Sequence, residues 1–144
     1  MIVDSDVLID ALRGIEPSYC AVFGALEAGQ LETTAVNWLE VLIGARNDEE
    51  RNAATTLLMG MPVYPFTLRA AELSASVGSQ LRAAGNLIPT PDLMLAGVAL
   101  EHASALLTRN QRDFRRVTGP NGRHPRVAVA TRCRGVGYSS ATPG

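Results

Sequence analysis

The stretch IVDSDVLI, residues 2–9, joins a short apolar run directly to an acidic turn. The apolar residues 1–3 predict a brief buried strand. The Asp-Ser-Asp turn at 4–6 offers helix-capping side chains, and the segment 7–13 predicts the helix that follows. A strand that passes straight into a helix is typical of an α/β unit, and it leaves Asp4 at the carboxyl end of the strand.

The rest of the chain alternates between short strands and helices in the same way. We predict strands at residues 31–36, 63–66, 105–108 and 126–130, and helices at residues 17–28, 37–46, 48–59, 67–84, 91–103 and 111–117. This alternation indicates an α/β sandwich with a mainly parallel sheet, whose ligands collect at the carboxyl ends of the strands. We expect one domain over residues 1–134, followed by a flexible tail over residues 135–144 that is rich in Gly, Ser and Pro.

Composition is typical of a globular domain that carries no membrane segment. The 144-residue chain is 47% hydrophobic, which is enough to build one core. It holds no apolar run of about 18 residues that would span a bilayer, and its amino terminus lacks the basic start of a secretory signal. We therefore expect a cytoplasmic protein. Cys20 and Cys133 form no CxxC motif, which argues against thiolate-bound zinc.

Charge is distributed unevenly along the chain. Residues 1–104 carry 13 acids and 5 arginines, whereas residues 105–144 carry 8 arginines and only Asp113 as an acid. A basic segment next to an acidic body is common in proteins with a polyanionic partner. A solvated arginine-rich tail is the alternative interpretation, and charge alone does not decide between the two.

Acidic side chains lie where predicted strands end or where the next helix begins. These positions are Asp4, Glu40, Asp92 and Asp113, with Asn110 beside the last of them. Taken singly, each has an ordinary structural explanation. Asp4 would cap a helix, and Glu40 would close a capping box with Asn37. Asp92 would interact favourably with the helix dipole from the first turn of a helix that Thr90 caps. Asp113 would pair with an arginine.

Taken together, these acids predict a cation site. The carboxyl ends of parallel strands meet at one edge of a sheet, so the acids are expected to converge there. Several carboxylates within a few ångströms disfavour joint ionisation unless a cation lies between them. Oxygen ligands suit Mg²⁺ or Mn²⁺, which bridge phosphates and activate water.

Other chemistries have weaker support. No P-loop, GxSxG motif or glycine-rich dinucleotide motif is present, and His102 and His124 are expected to have structural or solvated roles. The run DSDVL, residues 4–8, also resembles the nucleophile motif of haloacid-dehalogenase-like phosphatases. Those enzymes generally use a downstream lysine, and this chain has no lysine.

Four segments together resemble the motifs of the PIN-domain family. They are IVDSDVLI at residues 2–9, NWLEVLIG at residues 37–44, PDLMLAGVAL at residues 91–100 and LLTRNQRDF at residues 106–114. They occur in the family's order and spacing from Met1 to about Ala130, although Asp6 stands where the family usually has Asn. The resemblance implies a PIN-like three-layer α/β/α sandwich.

The resemblance also implies an activity and a site. It suggests a Mg²⁺- or Mn²⁺-dependent endoribonuclease of the VapC type, the toxin of a type II toxin–antitoxin system, which leaves 5′-phosphate and 3′-hydroxyl ends. The metal-binding and catalytic acids would be Asp4, Glu40, Asp92 and Asp113; the choice between Asn110 and Asp113 as the fourth ligand stays open. Supporting hydrogen-bonding groups would be Ser5, Asp6, Thr108 and Asn110.

The resemblance further implies partners. It suggests a homodimer and a small antitoxin that inserts into the active site. The RNA backbone would contact arginines, for which the candidates are Arg112, Arg115 and Arg116. A PIN-like module that binds RNA or protein without catalysis is the alternative hypothesis.

Overall fold

A parallel β-sheet forms the centre of the protein, whose computed structural model describes residues 1–131. The strands are β1 (Ile2–Val3), β2 (Thr33–Thr34), β3 (Val63–Tyr64), β4 (Leu106–Leu107) and β5 (Val127–Ala128). β1 pairs with β4, β4 with β5, and β2 with β3, all in parallel. A parallel bridge between Ile2 and Glu32 joins the two groups of strands, so their spatial order is β3-β2-β1-β4-β5.

This strand order reverses between β1 and β4. The chain builds outward from β1 through β2 to β3, and then returns to place β4 and β5 on the other side of β1. In open parallel sheets, ligands bind beyond the carboxyl ends of the two strands at such a reversal. The residues that follow β1 and β4 therefore lie where a functional site is expected.

Seven α-helices cover the two faces of the sheet within residues 1–131. They are α1 (Ser5–Leu12), α2 (Ser18–Glu27), α3 (Ala35–Gly44), α4 (Asp48–Met59), α5 (Leu68–Ala83), α6 (Thr90–Glu101) and α7 (Gln111–Phe114). None of these helices is long and apolar enough to cross a membrane.

Alternation along the strands divides the core into two halves. Ile2 and Leu106 point to a cluster formed with α5 and α6, whereas Val3 and Leu107 point to a cluster formed with α1 to α4. Successive side chains of a strand face opposite sides of a sheet, so two-residue strands are enough to anchor both layers. The three-layer α/β/α sandwich with a parallel sheet is confirmed.

Gly97 allows α6 to pack closely against α5. A Cβ atom at this position would lie 2.1 Å from the Ser74 Oγ and 2.4 Å from the Ala70 backbone oxygen. No side chain, not even a methyl group, fits at that spacing, so the two helices approach only because residue 97 is glycine. This packing fixes α6, which carries Asp92 in its first turn.

Each predicted helix is present, but α3 begins at Ala35, inside the predicted strand 31–36, and α7 ends at Phe114 rather than at residue 117. The caps predicted at Asn37 and Thr90 are wrong. At the start of the helix predicted over residues 67–84, Thr67 caps α5 by accepting a hydrogen bond from the Ala70 N–H. Helix α3 is capped by Thr34 rather than Asn37, because the Thr34 hydroxyl already accepts from the Asn37 N–H. Pro89, not Thr90, precedes α6, and no side chain caps that helix. The tail predicted at residues 135–144 lies outside the described residues.

Candidate active site

Asp4 and Thr108 meet at the reversal of the sheet. They directly follow β1 and β4, whose register places Val3 opposite Leu107. The Thr108 hydroxyl donates a 2.7 Å hydrogen bond to Asp4 Oδ2. Although Asp4 occupies the N-cap position of α1, its side chain makes no cap hydrogen bond. The capping interpretation of Asp4 is therefore wrong, and its carboxylate faces the strand ends instead.

Burial makes the Asp4 carboxyl a weaker acid than usual. Only 7% of Asp4 is exposed. Loss of hydration raises its pKa to about 6, and the charges of Asp92 and Asp6 act in the same direction against the hydrogen bond from Thr108. A carboxylate held in this way gains most from a nearby cation, which would replace the missing hydration and cancel the repulsion.

Glu40 lies on the first turns of α3 and is held from α1. The Ser5 hydroxyl donates a 2.6 Å hydrogen bond to Glu40 Oε2. The same Ser5 oxygen accepts a 2.9 Å hydrogen bond from Asn37 Nδ2. The capping-box interpretation of Glu40 is therefore wrong, because this carboxylate is bound by a side chain of another helix.

Asn110 links the other two acids. Its Nδ2 donates to Asp92 Oδ2 at 3.1 Å and to Asp113 Oδ2 at 2.9 Å, while its backbone N–H donates to the Thr108 hydroxyl at 2.9 Å. Burial raises the pKa of Asp92 against this hydrogen bond, and the charges of Glu40, Asp113 and Asp6 raise it further. Asp92 is therefore electrostatically coupled to the other acids.

Asp6 lies at the edge of this group. Its side chain is 65% exposed, and its Oδ2 lies 3.9 Å from Arg109 Nη2. Its charge nevertheless raises the pKa of both Asp4 and Asp92. Asp6 thus contributes negative potential at the solvent side of the acids. Its role as a supporting group stays a prediction.

Arg109 and Asp10 form a contact that the sequence analysis missed. Arg109 Nη1 donates to Asp10 Oδ2, which belongs to α1 and is nearly buried. Thr108 therefore binds Asp4, just before α1, and Arg109 binds Asp10 within α1, so the residues that follow β4 are held against this helix. No local pattern could reveal this pair, because 99 residues separate its members.

The predicted RNA-binding arginines lie on and just after α7. Arg116 Nη1 is 3.7 Å from Asp113 Oδ1, and Arg115 Nη2 donates to Gln111 Oε1 at 3.2 Å. Arg112 and Arg115 are exposed, and Arg116 is partly buried. The Asp113 contact brings at least Arg116 to the rim of the acids. The function of all three arginines stays a prediction.

The donor chemistry of this cluster fits a hard divalent cation. Within residues 1–131, no group of three or more His, Cys, Asp or Glu side chains could hold a metal ion as it stands. Mg²⁺, however, usually keeps several waters and is bound through only one or two carboxylates. Asp4 and Asp92 provide such a pair, and the repulsion between them is what a cation would relieve.

The fold and the site define a class of protein. It is an α/β sandwich that carries paired carboxylates at the point where the strand order of its parallel sheet reverses. Residues 1–120 match the family model of the PIN domain. The chain is also 32% identical to Ribonuclease VapC10 of Mycobacterium tuberculosis over 114 residues, which is 79% of this chain and 85% of the relative. The chain therefore belongs to the PIN-domain family.

Solved structures confirm the fold. VapBC2 from Rickettsia felis, bound to a promoter DNA fragment, superposes with a TM-score of 0.74 at 16% identity and covers 89% of this chain and 96% of its own. A toxin–antitoxin complex from Klebsiella pneumoniae gives a TM-score of 0.68 at 24% identity, covering 91% of this chain and 98% of its own. At these identities the likeness concerns the fold.

Proposed function

We propose that this protein is a metal-dependent endoribonuclease that acts as the toxin of a toxin–antitoxin pair. The observation that carries the proposal is the coupled pair Asp4 and Asp92 at the reversal of the sheet, each carboxyl weakened as an acid by burial and by neighbouring charges. Carboxyls whose pKa values are raised by burial and by neighbouring charges are typical of functional sites in strand-end crevices. The similarity to Ribonuclease VapC10 supports RNA as the substrate.

Asp4 and Asp92 would hold Mg²⁺ or Mn²⁺ directly, and Glu40 and Asp113 would complete the ligand set, directly or through bound water. The coupling of Glu40 and Asp113 to Asp92 supports this assignment. When bound, the metal supplies charge neutralisation at the scissile phosphate and lowers the pKa of a bound water.

The chain's own contribution is to orient the carboxylates. Thr108 fixes one oxygen of Asp4, Ser5 fixes one oxygen of Glu40, and Asn110 fixes one oxygen of Asp92. Each carboxylate keeps its second oxygen available for a cation or for a water bound to it. Asn110 would orient Asp92 and Asp113 rather than act as a ligand, because its amide nitrogen already faces both acids.

The proposal includes partners. A cognate antitoxin is supported by the toxin–antitoxin complexes among the structural neighbours, and we propose that it inserts into the active site. We further propose that the protein is a homodimer, that Arg112, Arg115 and Arg116 contact the RNA backbone, and that the protein works in the cytoplasm, where RNA is accessible.

Cleavage of a synthetic RNA by the purified protein tests this function. We expect cleavage with Mg²⁺ or Mn²⁺, none with EDTA, and a loss of several orders of magnitude in Asp4→Asn, Glu40→Gln and Asp92→Asn. Asp48→Asn, which changes an exposed acid on α4, serves as the matched control and should cleave as wild type does. Folded protein that binds RNA and never cleaves it would favour a non-catalytic module.

A further inference from the structure

A buried chain of hydrogen bonds begins at the N-cap of α3, passes through Ser5 of α1 and ends at Glu40 on α3. The Thr34 hydroxyl donates to Asn37 Oδ1 at 2.6 Å, Asn37 Nδ2 donates to the Ser5 hydroxyl at 2.9 Å, and Ser5 donates to Glu40 Oε2 at 2.6 Å. We call these four residues the Asn37 relay. Thr34 and Asn37 are fully buried and Ser5 is almost so. Groups so deeply buried must satisfy one another, because water cannot.

The direction of every proton in the relay follows from its two ends. The Thr34 oxygen accepts from the Asn37 backbone N–H at 3.1 Å, and its own proton is donated to Asn37 Oδ1. At the other end, the Ser5 hydroxyl donates its only proton to Glu40 Oε2. Ser5 then has only an acceptor position left for Asn37, which must present its nitrogen.

Reversing the Asn37 amide would break the relay. Nδ2 would face the Thr34 hydroxyl, whose proton would lose its acceptor on Asn37, and Oδ1 would face Ser5. The single Ser5 proton could then satisfy either Asn37 or Glu40, but not both. Only the orientation with Nδ2 toward Ser5 pairs all four side chains.

We propose that Asn37 is a positioning residue for Glu40: by donating to the Ser5 oxygen, it directs the Ser5 hydroxyl to donate to the Glu40 carboxylate and so keeps that carboxylate oriented as a ligand. Asn37 acts through Ser5 and does not touch the metal or the RNA. The inference rests on the proposed function, since it gives Glu40 a part in cation binding. Hydrogen bonds behind a ligand orient it and tune its affinity.

Two substitutions at the same position separate this role from simple packing. Asn37→Asp has nearly the same shape, but at pH 8 its carboxylate can only accept, so it draws the Ser5 proton away from Glu40. Asn37→Ala removes the side chain, and the Ser5 hydroxyl can still donate its hydrogen bond to Glu40. We therefore expect Asn37→Asp to lower the metal affinity more than Asn37→Ala does, although both variants weaken the fold.

The experiment measures Mn²⁺ affinity of the RNA-free protein at pH 8, together with urea unfolding of each variant. We expect Asn37→Asp to lose roughly 10- to 100-fold in Mn²⁺ affinity, the range typical of residues that support a ligand from behind. Asn37→Ala should lose less. Asn52→Asp, which adds the same charge at an exposed position of α4, should bind Mn²⁺ as wild type does.

The outcomes that would overturn the proposal are distinct. If Asn37→Asp is folded and binds Mn²⁺ with wild-type affinity, or if Asn37→Ala loses at least as much affinity, Asn37 only packs α3. If neither variant folds, Ser5→Ala decides, because it removes the last link and should match the loss expected of Asn37→Asp. Wild-type Mn²⁺ affinity in Ser5→Ala would overturn the proposed role of the Asn37 relay. Absence of Mn²⁺ binding by the wild-type protein would overturn the proposed function as well.

Discussion

Thr108 binds Asp4 across the junction between β4 and β1, through a 2.7 Å hydrogen bond between groups 104 residues apart in the chain. Thr108 is 1% exposed and also accepts from the Asn110 N–H. One hydroxyl therefore connects the carboxylate at the end of β1 with the residue that orients Asp92. The relative placement of the two central acids depends on this contact.

Thr108→Val should weaken metal binding more than it weakens the fold. Valine keeps the shape, but it removes the donor that stabilises ionised Asp4 and raises the pKa of that carboxyl further. A hydrogen bond to a charged group contributes about 1.5–3 kcal/mol, so we expect Mn²⁺ affinity to fall by about tenfold or more. Titration of the RNA-free protein measures this. Thr108→Ser keeps the hydroxyl and should bind nearly as wild type does; equal loss in both variants would contradict the role given to the hydrogen bond.

The Asp4 carboxyl should make the metal-free protein less stable as the pH rises. Its pKa is about 6 in the folded protein against 3.8 as the ordinary value, so the folded state binds this proton more tightly between those two pH values. Folding is therefore penalised progressively as the pH rises through that window, by an amount on the order of 3 kcal/mol above it. Asp92 shifts in the same direction.

Comparison with Asp4→Asn isolates this effect from other titrating groups. The amide can still accept from Thr108 and carries no charge. We expect Asp4→Asn and wild type to unfold at similar urea concentrations below about pH 4 and the variant to be the more stable at pH 8. Mn²⁺ should remove the difference at pH 8 by stabilising only the wild type. A gap between the two proteins that does not change with pH would contradict the assignment.

Gly97→Ala should destabilise the protein, whereas Gly24→Ala should stabilise it. The added methyl at residue 97 meets the Ala70 backbone oxygen at 2.4 Å, so α5 and α6 must separate. Overpacking of this kind costs about 1–3 kcal/mol or more. Gly24 lies inside α2, and no atom lies within 4 Å of the position that a Cβ would take there. Alanine at residue 24 should therefore raise the free energy of unfolding by about 0.5–1 kcal/mol. Urea unfolding compares the two, and a stable Gly97→Ala would show that the helices can move apart without cost.

Arg112→Ala should weaken RNA binding mainly through electrostatics. Loss of one phosphate contact lowers the slope of log affinity against log salt by about 1 and affects all sequences alike. The binding measurement is made on Asp4→Asn protein, which should not cleave. Arg69→Ala is the control, because Arg69 is an exposed arginine that lies beside Glu101 at the end of α6 remote from Asp92. An unchanged slope in Arg112→Ala would remove Arg112 from the RNA contacts.

The sequence predicted the layers of the fold and the acids of the site, because both leave local traces. Asp4 and Asp92 each stand at a boundary that apolar runs and proline mark, and the parallel sheet brings such boundaries to one edge. Helix α4 has the predicted bounds for the same reason, since its start and end are local features.

The contacts that orient the acids could not be predicted in this way. Asn37 and Glu40 are separated by one helical turn, so a capping box was the natural hypothesis. In the structure Glu40 accepts a hydrogen bond from Ser5 instead, 35 positions away in the chain, because α1 and α3 pack side by side. Pairing across the fold depends on how helices pack, and a single sequence carries no local signal for it.

The most direct test of the central claim is the chemistry of the RNA ends produced by purified, antitoxin-free protein. Total RNA is incubated with Mg²⁺, with Mn²⁺ and with EDTA, and the new ends are mapped for wild type and Asp4→Asn. We expect internal cuts that leave 5′-phosphates, require the metal and vanish in Asp4→Asn while the fold is retained. Cuts that persist in EDTA or in folded Asp4→Asn would contradict a metal-dependent site built on Asp4.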